Sequence, residues 1–263
     1  MSLRSLVFRA KRALGASRVT PTGEGLEGPD QPHALSVLES DEKQIIADVR
    51  FYTMVSSERL LAIMDAVKYV VRRNVPGALL ECGVWRGGSV LAMIKTLQSL
   101  GVDDRDIYLY DTFEGMTRPT DADTSPFEQP ALTTWKETPE GTTPWNWAFA
   151  PEIYGLDFVR RLIYDSGYPR QRIHFVKGPV EATIPDTVPG AAAFVRLDTD
   201  WYESTMHELV HLYPLMPQGA VLIIDDYGHW EGARRAVEEY FSTAAEPMLL
   251  TRTDYSGRMG VKI

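Results

Sequence analysis

The stretch that decides the fold is Ala-Leu-Leu-Glu-Cys-Gly-Val-Trp-Arg-Gly-Gly (78–88), a short apolar run that leads into a glycine-rich turn. The apolar run predicts a buried strand, and residues 89–100 behind the turn predict a helix. Gly83, Gly87 and Gly88 allow the backbone to turn sharply and a ligand to approach the helix N-terminus. The stretch therefore predicts a strand–turn–helix unit that ends at a binding site.

Strand-like and helix-like segments alternate along the rest of the chain. Apolar runs predict strands at 78–82, 107–110, 173–176, 193–197 and 220–224. Helical spacing of apolar residues, helped by cap residues, predicts helices at 57–73, 89–100, 153–165, 203–215 and 231–244. This alternation predicts an α/β fold with a doubly wound, mostly parallel sheet that binds ligands at the C-terminal strand edges. Residues 247–252 and 258–263 predict a C-terminal antiparallel hairpin.

Two pairs of aspartates follow predicted strands. Asp198 and Asp200 lie in Arg-Leu-Asp-Thr-Asp, and Asp225 and Asp226 lie in Ile-Ile-Asp-Asp-Tyr. Because neighbouring parallel strands end at the same edge of a sheet, these carboxylates are expected to meet there, where a cation must compensate them. Oxygen ligands favour magnesium, manganese or calcium over zinc. The alternative is that some of the four cap the helices or turns that follow.

Length and charge limit the classes of function. The chain has 263 residues, is 44% hydrophobic, and fits one large α/β domain with an appendage. A net charge of −9 and a pI near 5.1 argue against nucleic acid as the partner and favour a small neutral or cationic substrate. Cys82 is the only cysteine, so a reducing cytoplasm is the expected location. No run of apolar residues is long enough to span a membrane.

Two further segments are set apart by composition. Residues 1–36 predict an N-terminal amphipathic helix followed by a flexible Gly- and Pro-rich linker, which leaves the main domain at 37–263. Residues 115–151 are irregular and rich in proline, tryptophan and phenylalanine. A loop of this length inside a compact domain predicts a lid over the site, and the alternative is a structural flap whose aromatic residues cover the core.

The turn after the first predicted strand is not a dinucleotide fingerprint. It lacks G-x-G-x-x-G, and Glu81 would repel a pyrophosphate but suits the amino group of an amino acid. Asp111 ends the next predicted strand, where an acid hydrogen-bonds a ribose diol in such folds. The two acids together predict S-adenosylmethionine rather than a nicotinamide dinucleotide.

Four motifs together resemble the macrocin O-methyltransferase family: Glu-Cys-Gly-Val-Trp-Arg-Gly-Gly (81–88), Tyr-Asp-Thr-Phe-Glu-Gly-Met (110–116), Leu-Asp-Thr-Asp-Trp-Tyr-Glu-Ser-Thr (197–205) and Ile-Ile-Asp-Asp-Tyr (223–227). The resemblance runs from about Phe51 to the C-terminus. It implies a class I methyltransferase fold, Rossmann-like, and methylation of sugar hydroxyls of antibiotics such as macrolides and aminocoumarins. S-Adenosylmethionine and magnesium are the cofactors that it implies.

The resemblance also implies site residues. Asp198, Asp225 and Asp226 would hold the metal, and Asp200 would be the base, with Asp198 beside it in the catalytic group. The implied cofactor-binding residues are Thr53, Met54, Ser57, Glu81, Gly83, Ser89, Asp111, Thr112, Phe113, Gly178, Val180 and Asp198. Ordinary structural roles are expected for His229 and Glu231, whereas Trp201 and Tyr202 either line the acceptor pocket or brace the loop.

A competing motif is His207-Glu208-Leu209-Val210-His211, which matches the H-E-x-x-H zinc signature. The predicted helix that carries it connects the two Asp-bearing strands and so should pack along the flank of the sheet, away from the strand ends. No clear third ligand follows at the spacing of a zinc peptidase. A chance match is therefore the expected explanation.

The residues and the resemblance together predict an S-adenosylmethionine- and Mg²⁺-dependent O-methyltransferase that acts on a deoxysugar hydroxyl of a glycosylated natural product. A homodimer in the cytoplasm is expected. The alternatives are a catechol-type O-methyltransferase, which applies the same metal chemistry to an aromatic diol, a zinc peptidase, and a non-catalytic cofactor-binding module.

Overall fold

A computed structural model describes residues 38–146, 148–243 and 248–263. The predicted N-terminal helix and linker therefore lie outside the described residues. In the described part, the sheet has seven strands: β1 (Ala78–Cys82), β2 (Ile107–Asp111), β3 (Ile173–Lys177), β4 (Ala192–Leu197), β5 (Val221–Ile224), β6 (Thr251–Arg252) and β7 (Arg258–Val261).

The strand order is β3-β2-β1-β4-β5-β7-β6. Strands β1 to β5 pair in parallel, whereas β7 runs antiparallel to both β5 and β6. The predicted doubly wound α/β sheet with a C-terminal antiparallel hairpin is therefore confirmed. The order reverses between β1 and β4, the place where ligands bind in open α/β sheets.

The register of the central strands brings the predicted site residues together. Cys82 pairs with Leu197, and Leu197 pairs with Ile224. The residues that follow these three strand ends leave the sheet at the same edge. Gly83, Asp198 and Asp225 therefore lie side by side.

Nine helices of the described residues flank or cap the sheet: α1 (Ser40–Val49), α2 (Ser57–Arg72), α3 (Gly88–Ser99), α4 (Ala131–Glu137), α5 (Pro151–Tyr154), α6 (Leu156–Tyr164), α7 (Val180–Thr183), α8 (Tyr202–Leu212) and α9 (Glu231–Thr243). Short 3-10 turns lie at Arg170–Arg172 and Tyr213–Leu215. The helix predicted over 153–165 is divided at Gly155, whose backbone is extended. Pro214, in the turn after α8, cannot donate a backbone N–H, and the chain continues there as a 3-10 turn instead of the predicted helix to 215.

Helix α1 was not predicted, because its buried face is not uniformly apolar. Glu42 is buried with Ile45 and Val49. Its carboxylate accepts a hydrogen bond of 2.7 Å from Lys68 Nζ of α2. A buried ion pair replaces an apolar contact here, and periodicity of apolar residues does not detect it.

The main core lies between the sheet and its helices. All residues of β1, β4 and β5 are buried, as expected for strands covered on both faces. Helix α2 begins where the Ser56 side chain accepts a hydrogen bond from Arg59 N, and it buries Leu60, Ile63 and Val67. Each such side chain contributes about 1.5–3 kcal/mol when it leaves water.

The segment 115–151, predicted to be a lid, has its own structure. It contains α4, and Ala131 of α4 joins Trp201, Trp230 and Ala233 in a second hydrophobic cluster. Met116 and Trp145 of the segment pack against this cluster. The segment is therefore attached to the body of the protein by an aromatic core.

Among the described residues, none of the helices is both long enough and apolar enough to cross a membrane.

Gly83→Ala is expected to lower the free energy of unfolding more than Gly101→Ala. Both glycines have a positive φ, +83° and +70°, so an alanine at either position costs about 1–2 kcal/mol. A Cβ at Gly83 would also lie 2.0 Å from the carbonyl oxygen of Asp198, whereas Gly101 has open space around it. Overpacking should add about 1–3 kcal/mol at Gly83. Urea unfolding measures the difference, and equal losses would contradict this account of the β1–β4 contact.

Candidate active site

A cavity of about 400 Å³ lies at the C-terminal edge of the sheet. Its size falls within the range of small-molecule sites. It is lined by these residues predicted from the sequence: Thr53, Met54, Gly83, Ser89, Asp111, Thr112, Phe113, Gly178, Val180, Asp198, Asp200, Asp225 and Asp226. The structure thus brings together nearly the whole predicted site.

Asp111 organises the end of the cavity that borders the turns after β1 and β2. Its Oδ2 accepts hydrogen bonds from the backbone N–H groups of Val84 and Trp85, at 2.6 and 2.9 Å, and its Oδ1 accepts one from Phe113 N at 2.6 Å. Trp85 and Phe113 both have a positive φ, near +50°, which is uncommon outside glycine. One carboxylate therefore holds the turns after β1 and β2 in the shape that surrounds the cavity.

Glu81 and Ser57 do not line the cavity, although both were predicted to contact the cofactor. Glu81 is fully buried and accepts a hydrogen bond from Arg196 Nη1. Ser57 is the first residue of α2, and the neighbouring Ser56 carries the capping side chain. In the structure the Glu81 carboxylate faces a buried arginine, and its contact with the amino group of a cofactor stays a prediction.

Three carboxylates at the other end of the cavity approach one another. Asp198, Asp200 and Asp226 each offer an oxygen atom within 4.8 Å of the others. Across the residues that the structure describes, this is the one group of three or more histidine, cysteine or acidic side chains with such spacing. Asp225, predicted as a metal ligand, is not a member of the group.

Two arginines hold Asp225. Arg196 Nη2 donates to its Oδ1 at 2.6 Å, and Arg59 Nη1 donates to its Oδ2. Arg196 Nη1 also donates to Asp198 Oδ2 at 2.8 Å and to Glu81. The Arg196 side chain is only 1% exposed, so its charge acts on these carboxylates with little screening by water.

These contacts separate the protonation states of the acids. Burial raises the pKa of Asp198 and of Asp226 well above the usual range, and it raises the pKa of Asp200 to about 7. Burial acts in the same direction on Asp225, but Arg196 and Arg59 outweigh it and hold the pKa of Asp225 below its usual value. Without a bound cation, Asp225 is the ionised member and the other three acids retain protons more readily.

Sequence reasoning missed several groups of the site. Arg59 lines the cavity from α2, and no local sequence pattern indicates this role. His229, expected to be an ordinary loop residue, also lines the cavity, and its ring nitrogens contact Glu128 Oε1 at 3.0 Å and the Tyr255 hydroxyl at 3.1 Å. Its position three residues after Asp226 was the available signal.

The remaining aromatic and acidic candidates divide between the cavity and the surface. Trp201 lines the cavity and also braces the loop, because its Nε1 donates to Thr117 O at 3.0 Å. Tyr202 does not line the cavity, and its hydroxyl donates to Glu239 on α9. Glu231 accepts a hydrogen bond from Thr124 and has the structural role that was expected.

The H-E-x-x-H motif does not assemble a zinc site in the described residues. The rings of His207 and His211 lie 4.4 Å apart, but His207 Nε2 donates to the carbonyl oxygen of Ile184. Glu208 is fully buried, and Thr199 Oγ1 donates to its carboxylate at 3.0 Å. The motif is therefore a chance match on a helix that packs on the flank of the sheet.

Solved O-methyltransferases have the same fold. The O-methyltransferase NovP superposes with a TM-score of 0.66 at 28% sequence identity, over 80% of this chain and 82% of that chain. An O-methyltransferase from Bacillus cereus in complex with S-adenosylhomocysteine has a TM-score of 0.53 at 14% identity, over 88% and 96% of the two chains, and shows the fold alone. The fold is that of a class I O-methyltransferase.

Residues 38–259 match the family model of the macrocin O-methyltransferases, so the chain belongs to this family. Mycinamicin III 3''-O-methyltransferase of Micromonospora griseorubida is 32% identical, over 72% of this chain and 70% of the relative. Demethyldecarbamoylnovobiocin O-methyltransferase of Streptomyces niveus is 31% identical, over 76% and 73% of the two chains. The protein is an enzyme, and S-adenosylmethionine is its methyl donor.

Without metal, the free energy of unfolding is expected to fall as the pH rises from about 4 to about 7. The folded-state pKa of Asp200 and that of Glu81 are both about 7, above their ordinary values, so the folded protein binds more protons than the unfolded chain in this window. Each such proton gives a slope of up to about 1.4 kcal/mol per pH unit. Asp200→Asn should make the slope shallower, and Asp121→Asn on the surface should not. Urea titrations in EDTA from about pH 4 to 8 measure the slopes, and identical profiles for wild type and Asp200→Asn would contradict this assignment.

Asp111→Asn is expected to weaken the binding of S-adenosylhomocysteine much more than Glu81→Gln. In the wild type, backbone N–H donors meet the carboxylate oxygens of Asp111. In Asp111→Asn some of these donors would meet an NH₂ group instead, and the turns around the cavity would lose their shape. The expected cost is about 1–3 kcal/mol, or about 5- to 150-fold in affinity for S-adenosylhomocysteine. Glu81 does not line the cavity, so its substitution should act mainly on stability. Isothermal titration calorimetry measures both. A larger loss of affinity in Glu81→Gln than in Asp111→Asn would contradict this expectation and would support the predicted contact between Glu81 and the amino group of the cofactor.

Proposed function

We propose that the protein is a magnesium-dependent O-methyltransferase that methylates a deoxysugar hydroxyl of a glycosylated natural product of the antibiotic type. The observation that carries this proposal is the group formed by Asp198, Asp200 and Asp226 at the end of the cofactor cavity. The names of the relatives support the acceptor class. One of them, from Streptomyces olivaceus, is the 4'-O-methyltransferase of a rhamnosyl tetracenomycin C derivative and is 33% identical.

The residues fit a hard divalent cation. The group offers carboxylate oxygens alone, which suit Mg²⁺ and do not favour zinc. Asp198 and Asp226 belong both to the predicted ligand set and to the group that the structure brings together, and we assign the cation to them. When bound, the cation supplies Lewis-acid polarisation of an acceptor hydroxyl. That Asp225 is the third ligand stays a prediction: each of its oxygens accepts an arginine N–H and retains a further lone pair.

We assign to Asp200 the role of accepting the proton of the acceptor hydroxyl. Methyl transfer requires the oxygen to lie in line with the methyl donor and to lose its proton as the new C–O bond forms and the methyl–sulfur bond of the donor breaks, which releases S-adenosylhomocysteine. Asp200 lines the cavity beside Asp198 and Asp226, and its pKa of about 7 suits a general base near neutral pH. Because the positive charge of Arg196 is directed at Asp198, Asp225 and Glu81, no hydrogen bond from Arg196 competes for Asp200.

The homodimer and the cytoplasmic location stay predictions. The buried, free Cys82 agrees with a reducing compartment.

Segment 115–151 borders the cavity through Met116, Thr117, Glu128, Trp145 and other residues, so we assign acceptor selection to it.

Methyl transfer from labelled S-adenosylmethionine is expected with at least one glycosylated acceptor in a panel of macrolide, aminocoumarin and rhamnosyl polyketide compounds that lack one sugar O-methyl group. EDTA should abolish the transfer and Mg²⁺ should restore it, because the cation both orients and polarises the hydroxyl. Asp226→Asn should lower kcat by about 100-fold or more, in the range lost when a group for electrostatic stabilisation is removed.

The matched control for metal dependence is the double variant His207→Ala/His211→Ala, which is expected to keep the magnesium requirement. Methylation of a catechol but of no sugar hydroxyl would replace the proposed acceptor class with the aromatic diol alternative. Full activity in EDTA would remove the cation from the proposal.

A further inference from the structure

Asp123, in segment 115–151, is a fully buried carboxylate that does not line the cavity. Its Oδ2 accepts hydrogen bonds from Thr120 N at 2.7 Å and from Thr120 Oγ1 at 3.0 Å. Its Oδ1 accepts one from Tyr202 N at 2.8 Å, 79 positions away in the sequence. A buried carboxylate is costly unless its oxygens are satisfied, so these contacts fix Asp123 in place and attach it to Tyr202.

The contact with Tyr202 completes the N-terminus of α8. Tyr202 is the first residue of that helix, and the preceding residue, Trp201, provides no capping side chain. The first N–H groups of a helix need acceptors from outside the helix. Asp123 provides one from a distant part of the chain, and so sets the position of the first turn of α8.

Asp200 stands immediately before this turn in an unusual backbone conformation. Its φ is +70°, in the left-handed region that non-glycine residues seldom occupy. Such a conformation persists when the surrounding structure fixes it on both sides. On the N-terminal side, Asp198 N donates to Cys82 O at 2.9 Å and continues the β1–β4 ladder.

On the C-terminal side, segment 115–151 holds both residues that follow Asp200. Tyr202 N donates to Asp123, and Trp201 Nε1 donates to Thr117 O at 3.0 Å. The Trp201 ring also packs on Trp145 of the segment, with ring centres 5.9 Å apart. The segment therefore holds both residues that follow Asp200, beside a local hydrogen bond of 2.8 Å from Trp201 N to Thr199 O that closes the turn at Asp200.

A substitution at Gly232 of α9 would disturb the same contact in a second way. A Cβ at this position would lie 2.1 Å from Asp123 Oδ1 and 3.0 Å from Tyr202 N. The contact thus depends on the absence of a side chain at Gly232. An alanine there would displace Asp123 without changing the carboxylate itself.

We propose that Asp123 is a positioning residue, which acts through Tyr202 and Trp201 to hold Asp200 in its left-handed conformation facing Asp198 and Asp226. The inference rests on the proposed function, since Asp200 must face the cation and the acceptor only if it is the base. It assigns to segment 115–151 the assembly of the acidic group, in addition to the cover it gives the cavity.

The test compares Asp123→Ala and Gly232→Ala with the matched control Asp121→Ala, an exposed acid in the same loop. Crystal structures with S-adenosylhomocysteine report φ of Asp200, calorimetry reports the affinity for S-adenosylhomocysteine, and electron paramagnetic resonance reports the affinity for Mn²⁺ alone.

Both test variants should lose the positive φ of Asp200 and bind Mn²⁺ about 2- to 30-fold more weakly, the range that one lost capping contact gives. Affinity for S-adenosylhomocysteine should stay within about twofold, because Asp111 and its turns are unchanged. The control should match the wild type.

Asp123→Asn provides a rescue: its Oδ1 can still accept the Tyr202 N–H, so Asp200 should keep its positive φ, whereas its NH₂ group then meets Thr120 N–H and lowers the stability of the loop. A positive φ of Asp200 retained in both Asp123→Ala and Gly232→Ala would overturn the proposal. Loss of S-adenosylhomocysteine binding in both would also overturn it, since Asp123 would then support the whole cavity. A wild-type protein that fails to bind Mn²⁺ would contradict the proposed metal site alone, and φ of Asp200 in the variants would still decide the positioning role.

Discussion

The buried guanidinium of Arg196 is the constraint on which the site depends. It lies on β4 between β1 and β5 and binds Glu81, Asp198 and Asp225, one acid from the end of each central strand. Three carboxylates at adjacent strand ends repel one another strongly when water is excluded, and the arginine offsets that repulsion. Removal of one partner of such a buried network typically costs about 3–5 kcal/mol, because it leaves uncompensated charge. The protein can thus fold although several acids lie close together at the C-terminal edge of the sheet.

The arginine also divides the acids by role. Glu81 and Asp225 have their charge balanced by protein groups, with Arg59 as the second partner of Asp225. Asp200 and Asp226 make no ion pair with Arg196 and face the cavity. Asp198 is shared between the two sets. The charges of Glu81 and Asp225 are therefore offset within the protein, whereas Asp200 and Asp226 are available for a cation and for a proton.

Much of this arrangement could be predicted from local sequence. Apolar runs identified the five parallel strands, and the rule that ligands bind at C-terminal strand edges placed Asp111, Asp198 and Asp226 at the site. What could not be predicted were contacts between distant segments. Glu81 pairs with Arg196 across the β1–β4 register, and the sequence does not state that register. Asp123 is likewise far in sequence from the helix that it caps.

The same limit explains the misleading motif. H-E-x-x-H describes spacing on a helix, but whether its side chains converge on a metal depends on what the helix packs against. Here Glu208 faces inward to Thr199, and His207 is bonded to the carbonyl oxygen of Ile184. Tertiary contacts thus engage two of the three groups that the motif needs.

The most direct measurement is an anomalous difference map at the manganese absorption edge, from crystals of the protein grown with S-adenosylhomocysteine and Mn²⁺. The account predicts a single strong peak between the carboxylates of Asp198 and Asp226, with Arg196 still bound to Glu81. A peak beside His207 and His211, or an acidic group without a peak in crystals of a protein that methylates a sugar acceptor, would contradict it.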